Sequence, residues 1–268
     1  MLLRSDFRWS TAAGVLVTAL LVLFLVLPMT LSISAGLSVN YARGLGAGLT
    51  LRWVGEVWVL YADTMVRSLL VAVATLAGTL VIGVPASYAP VRRGGQLSRI
   101  VEEIVSLPVA IPGPALALGL IITYGGYGAF RQSTVFIIVG HVLFTLPFMM
   151  RSVIAMLETI DWRTSDDSAA SPGAGVWRRF FDVVLPNIRP GVLAGALAVV
   201  TLSIGEFNLS WMLHTPMTKT LPVGLADAYA SMRLELASAY TLVFLLLIVP
   251  ILLTLQFGAN FSERRFTS

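Results

Sequence analysis

Six stretches of this chain are long and apolar enough to cross a lipid bilayer, and nothing else in the sequence restricts the fold as much. They run about Thr11–Ser34 (with Pro28), Thr64–Tyr88, Ile104–Tyr124 (interrupted by Pro108, Pro112 and Pro114), Thr134–Met156 (with Pro147), Val192–Met212 and Tyr240–Asn260 (with Pro250). About 20 apolar residues in a helix span the hydrocarbon core. Lipid offers no partner to an unpaired peptide group, so each span must be a helix. The expectation is an all-α polytopic membrane protein, one transmembrane domain over residues 1–268. Only 12% of the residues are charged, against about 25% in an ordinary soluble domain. A soluble fold of this size could not hide so much apolar surface, which excludes a cytosolic enzyme domain and a disordered chain.

The composition removes most site chemistry. There is no cysteine, which rules out disulfides, thiolate catalysis and Cys-based metal sites. The histidines, His141 and His214, are too few for a His-rich metal site. A phosphate-binding loop needs G-x-x-x-x-G-K-[ST], but Lys219, the sole lysine, follows Thr218. Gly44-Leu45-Gly46-Ala47-Gly48 is no dinucleotide fingerprint either, because Leu49 takes the last glycine's place. No catalytic residue, cofactor or metal is expected on this chain. With the N-terminus inside, twelve basic residues fall on inner segments and six on outer ones. That bias predicts both termini in the cytoplasm and explains the net charge of +4 by topology rather than by nucleic acid. The first span exceeds the about 7–15 apolar residues of a signal peptide and is expected to stay as an uncleaved helix.

The loops are unequal. The outer loop after the first span, Ala35–Asp63, begins Gly-rich and ends at Leu51–Tyr61 in apolar and aromatic residues mixed with single charges, the pattern of an interfacial amphipathic helix. The outer loop Leu213–Ala239 is polar. The inner segment Leu157–Pro190 carries Thr164 and Asp167 at capping-box spacing, which starts a short helix. Pro172-Gly173 turns the chain. A second helix carries Val176, Trp177, Phe180, Val183 and Val184 at helical spacing and ends at Leu185-Pro186. By pattern alone this hairpin is either a solvated connector or a rigid handle.

Asp167-Ser168-Ala169, three residues, Gly173, nine residues, Val183, one residue and Leu185-Pro186 resemble the EAA loop of ABC importer permeases, whose pattern is E-A-A, three residues, G, nine residues, I, one residue, L-P. The spacing matches without a gap. Asp stands for the leading Glu, Ser for the first Ala, and Pro172 sits beside the glycine. Arg67-Ser68-Leu69-Leu70, Ser106-Leu107-Pro108-Val109-Ala110-Ile111-Pro112-Gly113, Leu146-Pro147-Phe148 and Gly205-Glu206-Phe207 are also similar to these permeases, above all to those for polyamines, ferric iron, oxyanions and phosphonates.

The resemblance implies a type I importer permease fold with six transmembrane helices and a cytoplasmic coupling-helix hairpin. In it, Asp167, Ser168, Ala169, Gly173, Val183, Leu185 and Pro186 would engage an ATPase. It also implies two ATPase subunits carrying ATP and Mg, a second permease expected to be a different chain, a periplasmic or lipid-anchored solute-binding protein, and a bacterial inner membrane. The expected solute is small and charged, with polyamine first and ferric iron or phosphonate next.

Glu206 is the acidic residue deep in a predicted span, where an ionised carboxylate costs at least about 2.5 kcal/mol unless it meets water or a partner. Two readings stay open: it faces the translocation path, or it bonds neighbouring helices. Asn208 and Ser210 lie close by and His141 sits in the fourth span, while Pro108 and Pro112 bend or unwind the third. All are candidates for lining the path. Gly78, Gly83, Gly119, Gly191 and Gly195 are expected to permit close helix packing. Two rival functions can be written down. One is an ion- or proton-coupled secondary transporter using Glu206 and His141; the other is an intramembrane hydrolase using His141 and Ser203.

Overall fold

The computed structural model describes residues 3–93, 110–159 and 175–264, together with 96, 100, 103, 104, 107 and 108. Asp167, Ser168, Ala169 and Gly173, and the helix expected from Thr164, lie outside the described residues. Among the described residues nearly everything is helical, and the extended pairing is a single bridge between Ser38 and Leu49.

The helices are α1 (Leu3–Gly36), α2 (Arg52–Arg93), α3 (Gly113–Tyr124), α4 (Gly128–Arg131), α5 (Thr134–Thr159), α6 (Val176–Arg179), α7 (Arg189–Gly205), α8 (Asn208–Leu213), α9 (Leu221–Ala230) and α10 (Leu234–Arg264). Helix α6 continues through a π-helical turn, Phe180–Val184, into a last turn, Leu185–Asn187. Among the described residues, four apolar helical segments are long enough to cross a membrane: Ala13–Gly36, Arg52–Tyr88, Thr134–Thr159 and Leu234–Thr254.

Several expectations need correction. Leu51–Tyr61 is not a separate interfacial helix, because α2 runs unbroken from Arg52. The third span is interrupted at Ile111 and Pro112, in keeping with its prolines, and α3 starts at Gly113 after Pro112 in an extended conformation. The expected fifth span is two helices, interrupted at Glu206 and Phe207. Helix α6 does not stop at Leu185-Pro186; it reaches Asn187 and then bends by 77° into α7. Proline is tolerated there because it occupies the first turn of Leu185–Asn187.

The chain divides into two compact units, Met1–Ala62 with Leu225–Leu246, and Asp63–Gly224 with Leu247–Ser268. In the first, the apolar stretch from Ala13 to Leu31 is exposed throughout, an arrangement suited to lipid. The unit is fastened at the end of α1. Gly36 abuts the Ala239 backbone so closely that no side chain would fit. The Trp53 indole donates to the Ser38 carbonyl at 2.9 Å. Arg233 and Arg52 both reach the Glu56 carboxylate, at 2.5 and 3.0 Å, and Tyr61 meets Tyr240 edge to face.

The second unit is organised around α5. Gly78, Gly83 and Ser87 of α2 meet Val142, Leu146 with Met149, and Met150 in rising order, so the two helices run parallel. Gly191, Gly195 and Ser203 of α7 meet Met156, Met149 and His141 in falling order, so α7 is antiparallel. One apolar core joins Val84, Tyr88, Met149, Val153, Leu157, Phe180, Val184, Ile188 and Val199; a second joins Val71, Ala117, Leu120, Phe136, Ile137, Leu209 and Leu213. The buried face of α2 carries Ser68, Thr75, Thr79 and Ser87. Thr79 and Ser87 donate back to the carbonyls of Thr75 and Gly83, which is how hydroxyls are accommodated inside apolar helices.

Four of the five singled-out glycines sit at tight helix contacts; Gly119 does not, since a side chain there meets nothing within 4 Å. A β-carbon at Gly191 would lie 2.7 Å from the Ser152 carbonyl oxygen and 2.6 Å from Met156. Gly191→Ala is therefore expected to lower stability by about 1–3 kcal/mol, and Gly119→Ala to leave it unchanged. Thermal unfolding of the two purified variants checks the contrast.

Candidate functional site

A helix that stops inside an apolar environment leaves amide donors at its new start and carbonyl acceptors at its end, and these groups need partners. Helix α8, which follows the break after α7, meets both demands with charged side chains. Glu206 is extended (φ −73°, ψ 113°) and largely buried. Its carboxylate folds forward over α8, and the Leu209 amide donates to both oxygens, at 3.1 and 3.0 Å. At the far end, Arg131 on α4 donates to the Leu213 carbonyl at 2.7 Å and to that of Met212 at 3.5 Å. A carboxylate at the N-terminus and a guanidinium at the C-terminus both complement the helix dipole. The Arg131 guanidinium also lies 5.1 Å from the Phe136 ring centre, a cation–π contact that favours it in apolar surroundings.

The middle of α8 is held separately. His141 on α5 is fully buried, with Nδ1 2.9 Å from Ser203 Oγ on α7 and Nε2 2.8 Å from Ser210 Oγ on α8. A neutral imidazole donates from one nitrogen and accepts at the other, so one ring ties three helices together. The apolar side of α8 supplies Leu209 and Leu213 to the core shared with α3 and α5.

Helix α3 also begins at this place. Pro112 precedes it, and its carbonyl accepts from the amides of Ala115 and Leu116. A β-carbon on Gly113 would sit 3.2 Å from Glu206 Oε1 and 3.5 Å from the Leu209 nitrogen. The missing side chain lets the start of α3 rest against Glu206, so two helix N-termini face one carboxylate.

Glu206 and His141 thus belong to one assembly around α8, with Pro112 next to it through Gly113. Asn208 opens α8 and is exposed. Pro108 is half-buried and not part of this cluster. Val183, Leu185 and Pro186 are half-buried on the last turns of α6. Sequence reasoning missed Arg131, counting it only as an outer basic residue. Its partners are 82 and 81 positions away, and no local pattern marks such a pairing. Ser203 does meet His141, yet the other ring nitrogen is taken by Ser210 rather than by an orienting carboxylate, and both residues are shut away from water. That is not a hydrolase geometry.

Residues 79–268 match the family described as "Binding-protein-dependent transport system inner membrane component". The chain belongs to this family. It is therefore a permease subunit of an ABC importer and a multi-pass inner-membrane protein. The chain is 25% identical over 251 residues to the putative 2-aminoethylphosphonate transport system permease protein PhnV of Salmonella typhimurium, covering 91% of this chain and 93% of that one. It is 29% identical over 202 residues to the molybdenum transport system permease protein ModB of Azotobacter vinelandii, covering 70% and 87%. Among solved structures, it matches a chain of a bacterial ABC transporter involved in the import of the acidic polysaccharide alginate. There the TM-score is 0.70 at 15% identity, over 100% of both chains. That likeness is one of fold, and the fold is that of type I ABC importer permeases.

Because Glu206 and Arg131 secure opposite ends of one short helix, Glu206→Gln and Arg131→Gln are each expected to cost about 1–3 kcal/mol of stability. The double variant should lose less than the sum, since α8 is already loosened by either change. Thermal unfolding of the four proteins measures this, and strictly additive losses would mean the two ends act independently.

Proposed function

We propose that this permease forms half of the path for a small oxyanion of the phosphonate class. It would be paired with a second permease, expected to be a different chain, and driven by two ATPase subunits. The observation that carries the solute class is the likeness to the 2-aminoethylphosphonate permease along nearly the whole chain. The molybdenum permease supports it, because molybdenum in water is carried as an oxyanion. These relatives lend no support to polyamine, the solute first expected. A solute-binding protein delivers the anion from outside, and both termini lie in the cytoplasm. ATP and Mg belong to the ATPase partners, and this chain holds no cofactor.

The 164–186 hairpin is the handle for those partners. What supports this is where its ends are rooted. Leu157, just before it, Phe180 and Val184, in its second arm, and Ile188, just after it, share one core with Met149 of α5 and Val199 of α7. A force on the hairpin is delivered into two membrane helices at once. The ion-coupled alternative lacks support, because the carboxylate of Glu206 is engaged by α8 and both nitrogens of His141 are occupied.

Purification of the tagged permease from its native membrane is expected to bring an ATPase subunit in stoichiometric amount. Gly173→Asp should abolish uptake of 2-aminoethylphosphonate and binding-protein-stimulated ATP hydrolysis while membrane insertion stays normal. Unchanged uptake by that variant would remove the hairpin from the coupling mechanism.

A further inference from the structure

The start of α9 carries a feature that the clamp around α8 does not use. Thr220 precedes Leu221, the first residue of this ten-residue helix, and its carbonyl accepts the Gly224 amide at 2.9 Å, so it is the capping residue. A capping threonine ordinarily spends its hydroxyl on an amide of the first turn. Here Thr220 is 2% exposed and its Oγ1 has no hydrogen-bond partner. Pro222 in that turn has no amide hydrogen to offer. The first amide, Leu221, donates to Ser68 Oγ of α2 at 2.7 Å.

The residue beside Ser68 brings charge to the same corner. Arg67 is half-buried, and its Nη1 donates to the Lys219 carbonyl at 3.3 Å, the peptide group that leads into Thr220. One long bond leaves most of the guanidinium fork for another acceptor. Lys219 is also half-buried and is already engaged in the structure, so it adds positive potential rather than a vacant ammonium. The carboxylate one turn before Arg67, Asp63, is exposed and forms no ion pair with it. The approach to the corner is fixed. The Thr215 amide donates to Thr218 Oγ1 at 2.8 Å and the Thr218 amide to the Thr215 carbonyl at 2.9 Å, closing a tight turn just ahead of Lys219.

We propose that Arg67, the Thr220 hydroxyl and the start of α9 form a contact station for the oxyanion group of the transported solute. The inference rests on the oxyanion reading above and gives it a place. A guanidinium, the positive end of a helix dipole and a hydroxyl donor are a set that binds phosphonate or another tetrahedral oxyanion. Basic-residue counting puts this corner at the outer end of the second span, Thr64–Tyr88, where solute arrives. In this conformation the hydroxyl is closed to water, as a station occupied in only one half of an alternating cycle must be.

Valine has the shape of threonine without the hydroxyl. If Thr220 only packs, Thr220→Val removes an unsatisfied polar atom, leaving or raising stability and leaving transport alone. The test uses proteoliposomes holding the complete importer with its binding protein, and radiolabelled 2-aminoethylphosphonate and molybdate as probes. Thr220→Val is expected to lower initial uptake at least fivefold and the solute moved per ATP in step, with thermal stability unchanged or higher. Thr220→Ser should stay within twofold of wild type. Arg67→Gln should lose at least tenfold, with Arg67→Lys recovering part. Wild-type uptake in both Thr220→Val and Arg67→Gln overturns the station, and so does a loss in Thr220→Val that follows lost stability. If the wild-type importer carries neither anion but another solute, the oxyanion reading falls and takes this ligand with it.

Discussion

The arrangement depends on how an interrupted helix is kept satisfied where water is scarce. Breaking the fifth span at Glu206 leaves the short helix α8 with amides to satisfy at its start and carbonyls at its end, and each unpaired group in lipid costs several kcal/mol. Glu206 answers the amides, Arg131 answers the carbonyls, and His141 fixes the centre through Ser210. The charges are held in place by their task. Removing either leaves the other end of α8 capped but the helix free to tilt. A carboxylate that is expensive in an apolar span thereby becomes what makes a non-helical backbone possible there.

The same assembly explains why α3 starts where it does. Pro112 ends the preceding chain in an extended conformation, and Gly113 lets the new helix press against Glu206. Two discontinuities in separate spans meet at one carboxylate. Deeper in the unit, α5 carries the connection onward, touching α2 on one side and α7 on the other. Its end joins the core that also roots α6. The break at α8 and the root of α6 are thus opposite ends of one packed column.

Much of this was legible in the residues. The apolar runs locate α1, α5 and α10 closely, because span length is set by bilayer thickness and needs no tertiary information. The second arm of the hairpin, α6, was legible in the helical spacing of its apolar residues rather than in hydropathy. Other features escaped for physical reasons. A hydropathy sum over 192–212 counts apolar side chains and is blind to two residues leaving helical geometry. Arg131 looks like any loop arginine until the fold carries it to Leu213. Glycine is ambiguous too: Gly191 and Gly119 look alike in sequence, but only the first faces a neighbouring backbone. The loop and span readings of α2 differ because Arg52–Tyr61 is apolar enough to prolong the helix.

The central claim is that this permease moves its solute with energy taken from ATP by partner subunits, not from an ion gradient across its own polar residues. The most direct test is initial uptake of radiolabelled 2-aminoethylphosphonate by proteoliposomes holding the complete importer and its binding protein, energised either with ATP at the ATPase face or with an imposed proton or sodium gradient alone. Uptake that needs ATP and ignores the gradient is the predicted result. Uptake that follows the gradient and proceeds without ATP would contradict the account.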